Sequence, residues 1–449
     1  MKRKKKLNKV IKSVSLLLLL SFFFINEKVF AAGAYSLNKH YLAHIDYFDI
    51  PGYFFLLLNF VLLVFLSIKK PHLQNLLVIF LLVRVTLCII NVEIFSLPDS
   101  AGDAFKFIRI ASEMASNSLY ENIVNPQMGL YFKHSYSWLL SLFFSIFGNS
   151  YLLAASLSLT LGMLTIYFLE DFLKLLWGNL NFNRVLFFTT FMPSLVLYSV
   201  IPVREAFFIF SLLIAFLNAG LFLKFNHKIN LILSIIFFFI TGTIHGGGNI
   251  GLILFVIFLT FRYFKIFLKD LFNLKINFVN FFIFLIGVLV SINFFNENII
   301  FSKLGSFANM TDPDYIRKFS DQRTLGDAAY PSFLIPSSDI DLIWITPAKF
   351  IYFVFGPFAW DIKSGIHIIG FFEGLVYIYL FLNIIFSYKK IMNNKLSLLL
   401  LVCLIIYFLA FSIGTSNFGT GFRHRAKFFI FVISLAAPFI LKKKSDKRY

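Results

Sequence analysis

The chain has 449 residues, 59% of them hydrophobic and 19% aromatic, and a mean hydropathy of +0.82. Soluble domains are roughly 45–50% apolar, so this composition excludes an ordinary water-soluble fold and makes a bilayer the natural solvent. The net charge of +19 lies in short lysine clusters between apolar runs and at both ends, which points to anionic lipid and away from nucleic acid.

The apolar stretches are continuous runs of roughly 15 to 22 residues, the length of a bilayer-crossing helix and too long for an alternating barrel strand. The expected fold class is therefore all-α, a polytopic helical membrane protein. Cys88 and Cys403 both fall inside apolar runs, so neither a disulfide framework nor a CxxC metal motif is present.

Residues 1–31 carry a basic start (MKRKKKLNKVIK), an apolar run over 14–25 and the small-residue stretch Val29-Phe30-Ala31. This reads as a signal peptide or, alternatively, an uncleaved anchor helix, and both place Ala32 outside. Residues 32–449 then form a single transmembrane domain. Spans are expected at 53–68, 73–91, 151–169, 185–201, 206–223, 229–244, 250–264, 277–294, 365–386, 395–413 and 428–441, about eleven in all. Two further apolar stretches, 138–147 and 343–358, are short or interrupted by Pro347, Gly356 and Pro357, and read as re-entrant or interfacial helices. With both left out of the count, Lys224/Lys228, Arg262/Lys265/Lys269/Lys275, Lys389/Lys390 and Lys442–Lys444 all fall inside, as the positive-inside rule requires. The external loops then lie at about 92–150 and 296–364.

Polar residues that hydropathy does not explain converge on the outer side of this threading. Asp99 and Asp103 lie in the first loop, Arg204-Glu205 at an outer turn, His245 before a triple glycine, and Arg423, His424 and Arg425 in GTSNFGTGFRHRAKF. Each also has a local reading: Arg204-Glu205 as a helix start next to Pro202, the glycines as a tight turn, RHR as an interfacial anchor. Outer-edge ionisable groups are nevertheless functional candidates, and arginines beside glycine-rich turns suit a phosphate or diphosphate. Asp103, assisted by Asp99 or Glu205, would act as a base. Arg204, Arg423, Arg425, His424 and His245 would bind phosphate.

The segments GDAFKFIRIASEM and KHSYSWLLSLFFSIFGNSYLLAASLSLTLGMLTIYFLEDFLKLLWG resemble the GT-C glycosyltransferases, polytopic enzymes that use polyprenyl-phosphate sugar donors. The resemblance covers residues 98–222 and implies a GT-C-like fold with the catalytic aspartate at Asp103. Ala104 stands where the family pattern has a second acid, which leaves a divalent cation, Mg²⁺ or Mn²⁺, an open question. The distal half, with AAYPSFLIPSSDIDLIWITPAKFIYFVFGPFAWDI and NFGTGFRHRAKF, is similar to Wzy-type repeat-unit polymerases. The expected activity is glycosyl transfer from a polyprenyl-linked sugar donor to a lipid-linked or surface glycan acceptor. It would take place on the extracytoplasmic face of an inner (plasma) membrane, with membrane lipids and no nucleic acid as the other partners. The alternatives are a repeat-unit polymerase and, from another class, a flippase of lipid-linked glycans.

Overall fold

The computed structural model describes residues 49–117, 120, 123, 128–273, 278–296, 328–334 and 339–441. The expected signal peptide or anchor lies outside these residues. The described residues are helical, with one isolated antiparallel bridge, Ala329 to Asn417. Seven helices among them are long and apolar enough to cross a membrane, as expected of a membrane-embedded polytopic protein. The chain divides into two compact units: Met1–Glu170 with Leu186–Phe210, and Asp171–Val185 with Ser211–Tyr449.

In the first unit, α1 (Ile50–Lys69) starts where Asp49 caps it, its Oδ1 accepting from Gly52 N at 2.9 Å with Pro51 in the first turn. Burial pushes the Asp49 carboxyl above its usual range, against hydrogen bonds from Ser150 Oγ and Gly52 N that favour the charged form. The helix stops at Lys70, because Pro71 cannot continue it, and α2 (Pro71–Ile94) returns. The last turn of α2 widens to π geometry, Phe95 N donating to Ile90 O at 2.9 Å.

Next come α3 (Gly102–Ala115), α4 (Met128–Phe147) and α5 (Tyr151–Trp177). Three polar rungs tie α1 and α2 to α5. At one end Ser150 Oγ donates to Asp49 Oδ2 at 2.5 Å. In the middle Asn59 Nδ2 donates to Ser156 O at 3.3 Å while Thr160 Oγ1 donates to Asn59 Oδ1 at 2.8 Å. At the other end Lys70 Nζ lies 3.2 Å and His72 Nε2 2.6 Å from the two oxygens of buried Glu170. Ala154, Ala155, Ser156 and Ser158 of α5 are buried, and a Cβ on Gly162 would crowd Ser199 and the Phe80 ring of α2, as suits helices that pack in lipid by shape and hydrogen bonds rather than by a hydrophobic drive.

The single span expected over 185–201 is two helices, α6 (Asn183–Phe191) and α7 (Pro193–Tyr198). Pro193 lacks an N–H, and Met192 leaves helical geometry at φ −61°, ψ 119°. A buried non-helical turn, 199–204, follows, and then α8 (Glu205–Phe225). The stretch expected over 138–147 is the second half of α4, which is kinked at His134.

The second unit continues with α9 (Lys228–Ile244), a 3₁₀ turn (Gly246–Gly248), α10 (Asn249–Phe272), α11 (Phe278–Asn296) and α12 (Asp339–Phe355). It closes with α13 (Gly365–Phe386), α14 (Tyr388–Met392), α15 (Lys395–Ile413), α16 (Phe418–Ala426) and α17 (Phe429–Ile440). The stretch expected over 343–358 is α12, which runs through Pro347 and ends at Gly356. The segment around Tyr330 is strapped to the start of α16: Tyr330 N donates to Ser416 O at 3.0 Å and Phe418 N to Ala328 O at 2.8 Å. Tyr330, Leu334 and Phe418 form a small apolar cluster there with Ala348 and Tyr352.

At the α12–α13 crossing, Gly374 lies so close to the Phe355 carbonyl that a Cβ would collide with it. Gly374→Val is therefore expected to destabilise the protein by about 1–3 kcal/mol, the usual range for overpacking. A lowered thermal midpoint of the purified protein would show it, and an unchanged midpoint would contradict the close approach.

Candidate functional site

In the first unit the site is built on the turn after α2. Phe95 is extended, and Asn91 Oδ1 accepts from Leu97 N at 2.8 Å, folding the chain back. Asn91 Nδ2 also donates to Tyr151 Oη at 3.0 Å, and that hydroxyl donates to Ser100 O at 3.0 Å. The turn is thereby fixed to the first residue of α5. Asp99 takes a left-handed conformation, φ +59°, which Asp tolerates better than most residues because its short side chain bonds locally. Its Oδ2 accepts from Tyr198 Oη at 2.8 Å.

α3 starts at Gly102, itself at φ +44°, and places exposed Asp103 in its first turn. Ala104, Phe107, Ile108 and Ala111 are its buried face. Phe107 stands one turn after Asp103, and positions four apart share a helix face. The Arg204 guanidinium lies 5.5 Å from the centre of the Phe107 ring. Tyr136 packs edge-on to Phe107 at 5.1 Å and to Phe207 at 5.2 Å, closing the wall.

Glu205 is the first residue of α8 and fully buried, where the helix N-terminus favours a carboxylate. Asp99, Asp103, Arg204 and Glu205 thus belong to two segments that the structure brings together, through Tyr198 on Asp99 and Arg204 on Phe107. A carboxylate and a guanidinium on neighbouring segments can in principle accept a proton and stabilise a departing anion.

The second unit holds a basic centre of its own residues. His245 ends α9 in extended backbone, and its Nδ1 accepts from Gly247 N at 3.2 Å, so the first glycines form a 3₁₀ turn under the imidazole. A Cβ on Gly247 would come within 2.6 Å of the Phe411 ring, which explains a glycine there. The His245 ring stacks on Phe411 at 5.2 Å and meets His424 edge-on at 5.4 Å. Lys427 Nζ, fully buried, lies 3.0 Å from His424 Nδ1. The segment carrying Arg423, His424 and Arg425 is a helix, α16, whose cap Asn417 accepts from Gly419 N and Thr420 N at 2.8 and 3.2 Å. Arg423 is half-buried on it.

Arg425 behaves differently from its neighbours. It is 1% exposed and donates to the carbonyls of Val354, Gly356 and Gly370, with Glu373 Oε2 at 3.9 Å. Its donors therefore secure the end of α12.

Sequence reasoning missed Tyr198 and Lys427. Lys427 was readable, because His and Lys three apart in RHRAK share a helix face once the segment is helical. Tyr198 was not, since nothing local marks it as the partner of Asp99.

Among the described residues no group of three or more His, Cys, Asp or Glu side chains is placed to hold a metal ion. The Mg²⁺ or Mn²⁺ left open above therefore has no such group of protein donors among the described residues. No family model matches the chain, and no curated protein or solved structure matches it either.

Proposed function

We propose that the protein is a membrane glycosyltransferase with about eleven crossings and a GT-C-like plan. It would transfer sugar from a polyprenyl-phosphate or -diphosphate donor to a lipid-linked or surface glycan on the extracytoplasmic face. The observation that supports it is the approach of the Asp99–Asp103 segment to the Arg204–Glu205 turn, through Tyr198 on Asp99 and Arg204 on Phe107. In this reading the Asp103 carboxylate takes the proton of the acceptor hydroxyl. The hydroxyl oxygen attacks the anomeric carbon from the face opposite the phosphate, the bond to the phosphate oxygen breaks, and Arg204 receives the charge that builds on that oxygen. Asp99, turned by Tyr198, orients the acceptor, and buried Glu205 stands at the start of α8 beside Arg204. The donor's long lipid tail lies in the bilayer and confines the reacting group to the membrane surface.

The basic centre of the second unit favours one variant of this reading, the repeat-unit polymerase. His245, Arg423 and His424 would there hold a lipid diphosphate carrying an oligosaccharide block.

Profiling of lipid-linked glycans separates these readings in cells carrying wild type, a deletion, or Arg204→Gln at equal protein levels. Arg204→Gln is expected to reduce transfer on the order of 100-fold, the usual cost of removing one charge-stabilising donor. Unextended lipid-linked glycan should then build up on the outer leaflet, as in the deletion. The length of the missing product distinguishes one sugar from a block. Glycan trapped on the inner leaflet in the deletion, with Arg204→Gln like wild type, would reject transfer in favour of a flippase.

A further inference from the structure

Arg84 lies in the middle of α2, about ten residues and roughly 15 Å from the end of that helix at Ile94, and is 1% exposed. Part of its role is structural. Pro193 and the break at Met192 deprive carbonyls at the end of α6 of their helical donors, and Arg84 Nη2 donates to Thr190 O at 2.9 Å. Its Nε donates to Ser199 Oγ at 2.7 Å, and the guanidinium lies 3.7 Å from the centre of the Phe80 ring.

Two facts remain after this role is filled. Nη1 is buried and has no hydrogen-bond partner among the described residues. Nor does any described carboxylate lie within ion-pair distance of the guanidinium. A buried cation without a counter-charge is among the least favourable placements in a membrane protein, and a neutral amide could have donated to the same carbonyl. Arg84 also forms part of the wall of a cavity of about 30 Å³, together with Gly162, Thr165, Thr189, Tyr198 and Ser199. That volume holds about one or two water-sized particles.

We propose that this cavity binds a small monovalent anion of halide size, which accepts from Arg84 Nη1 and neutralises the guanidinium within the membrane. The same wall contains Tyr198, whose hydroxyl donates to Asp99 Oδ2. An occupant there stands directly behind a residue that orients the outer carboxylate. The binding claim itself does not depend on the glycosyl-transfer reading.

The test uses the full chain purified in detergent with gluconate as the only anion, titrated with sodium bromide at constant ionic strength while the thermal midpoint is followed. The wild type is expected to show a saturable rise of several degrees that sulfate does not reproduce. Arg84→Gln should lose the response. Thr165→Leu should lose it too, because it fills the cavity while leaving both Arg84 bonds intact; the Thr165 hydroxyl only donates back to Leu161 O at 2.7 Å. If Arg84→Gln fails to fold, Thr165→Leu decides. A flat wild-type titration, an equal rise with sulfate, or an undiminished bromide response in Thr165→Leu would each overturn the proposal.

Discussion

Asp103→Asn is expected to abolish glycosyl transfer, lowering the rate by roughly 10²- to 10⁴-fold, the contribution of a well-placed general base. Asparagine keeps the size and shape of the side chain but cannot take a proton. Asp103 is exposed in the first turn of α3, so the change should leave the fold and its thermal midpoint unaltered. Transfer in membranes, assayed with a radiolabelled polyprenyl-phosphate sugar and a lipid-linked acceptor, measures the effect. A variant within a few-fold of wild type would move the base elsewhere. Asp99→Asn is the natural second variant, and a larger loss there than at Asp103 would exchange the roles of the two carboxylates.

Arg425→Met is expected to cost about 3–5 kcal/mol of stability, the penalty for removing one member of a buried ion pair. It removes the guanidinium beside Glu373, 1% exposed, and leaves the carbonyls of Val354, Gly356 and Gly370 without their shared donor. Glu373→Gln should cost less, since Arg425 keeps its three carbonyl partners. Arg425→Met combined with Glu373→Leu should recover part of the loss by removing the buried carboxylate along with its cation. Unfolding midpoints of the three variants in detergent give the ranking directly. If Arg425→Met folds like wild type and loses only activity, Arg425 is a phosphate ligand after all and its carbonyl contacts are dispensable.

Much of the fold was legible because the bilayer imposes one simple rule, a long apolar run for each crossing. The helices at Ile50–Lys69, Tyr151–Trp177 and Lys395–Ile413 lie where the hydropathy places them. Less legible was the continuity of elements through interruptions. α12 continues through Pro347, whereas the run over 185–201 breaks at Pro193, where the freed carbonyl of Thr190 finds a donor in Arg84. Which distant side chain satisfies the backbone freed at such a break is not recorded in composition. The site was legible in its residue types and less so in its joins. Asp99, Asp103 and Arg204 stand out as polar residues at apolar edges, but the Tyr198 hydroxyl and the Phe107 ring that connect them are unremarkable in a chain of 19 tyrosines and 64 phenylalanines. Arg425 stood out for the same reason as Arg423, and only the carbonyls around it separate the two.

The three rungs between the first helix pair and α5 bear on how far this sequence can drift. Apolar side chains facing lipid discriminate weakly among one another, so a helix held by them alone could slide by a turn at little cost. Asp49 with Ser150, Asn59 with Ser156 and Thr160, and Lys70 and His72 with Glu170 are spaced along the whole length of the packing, and a one-turn slip would break them all together. A handful of polar atoms therefore carries the register. The surrounding apolar positions are left open to interchange among phenylalanine, isoleucine and leucine over long divergence, without disturbing the turn that holds Asp99.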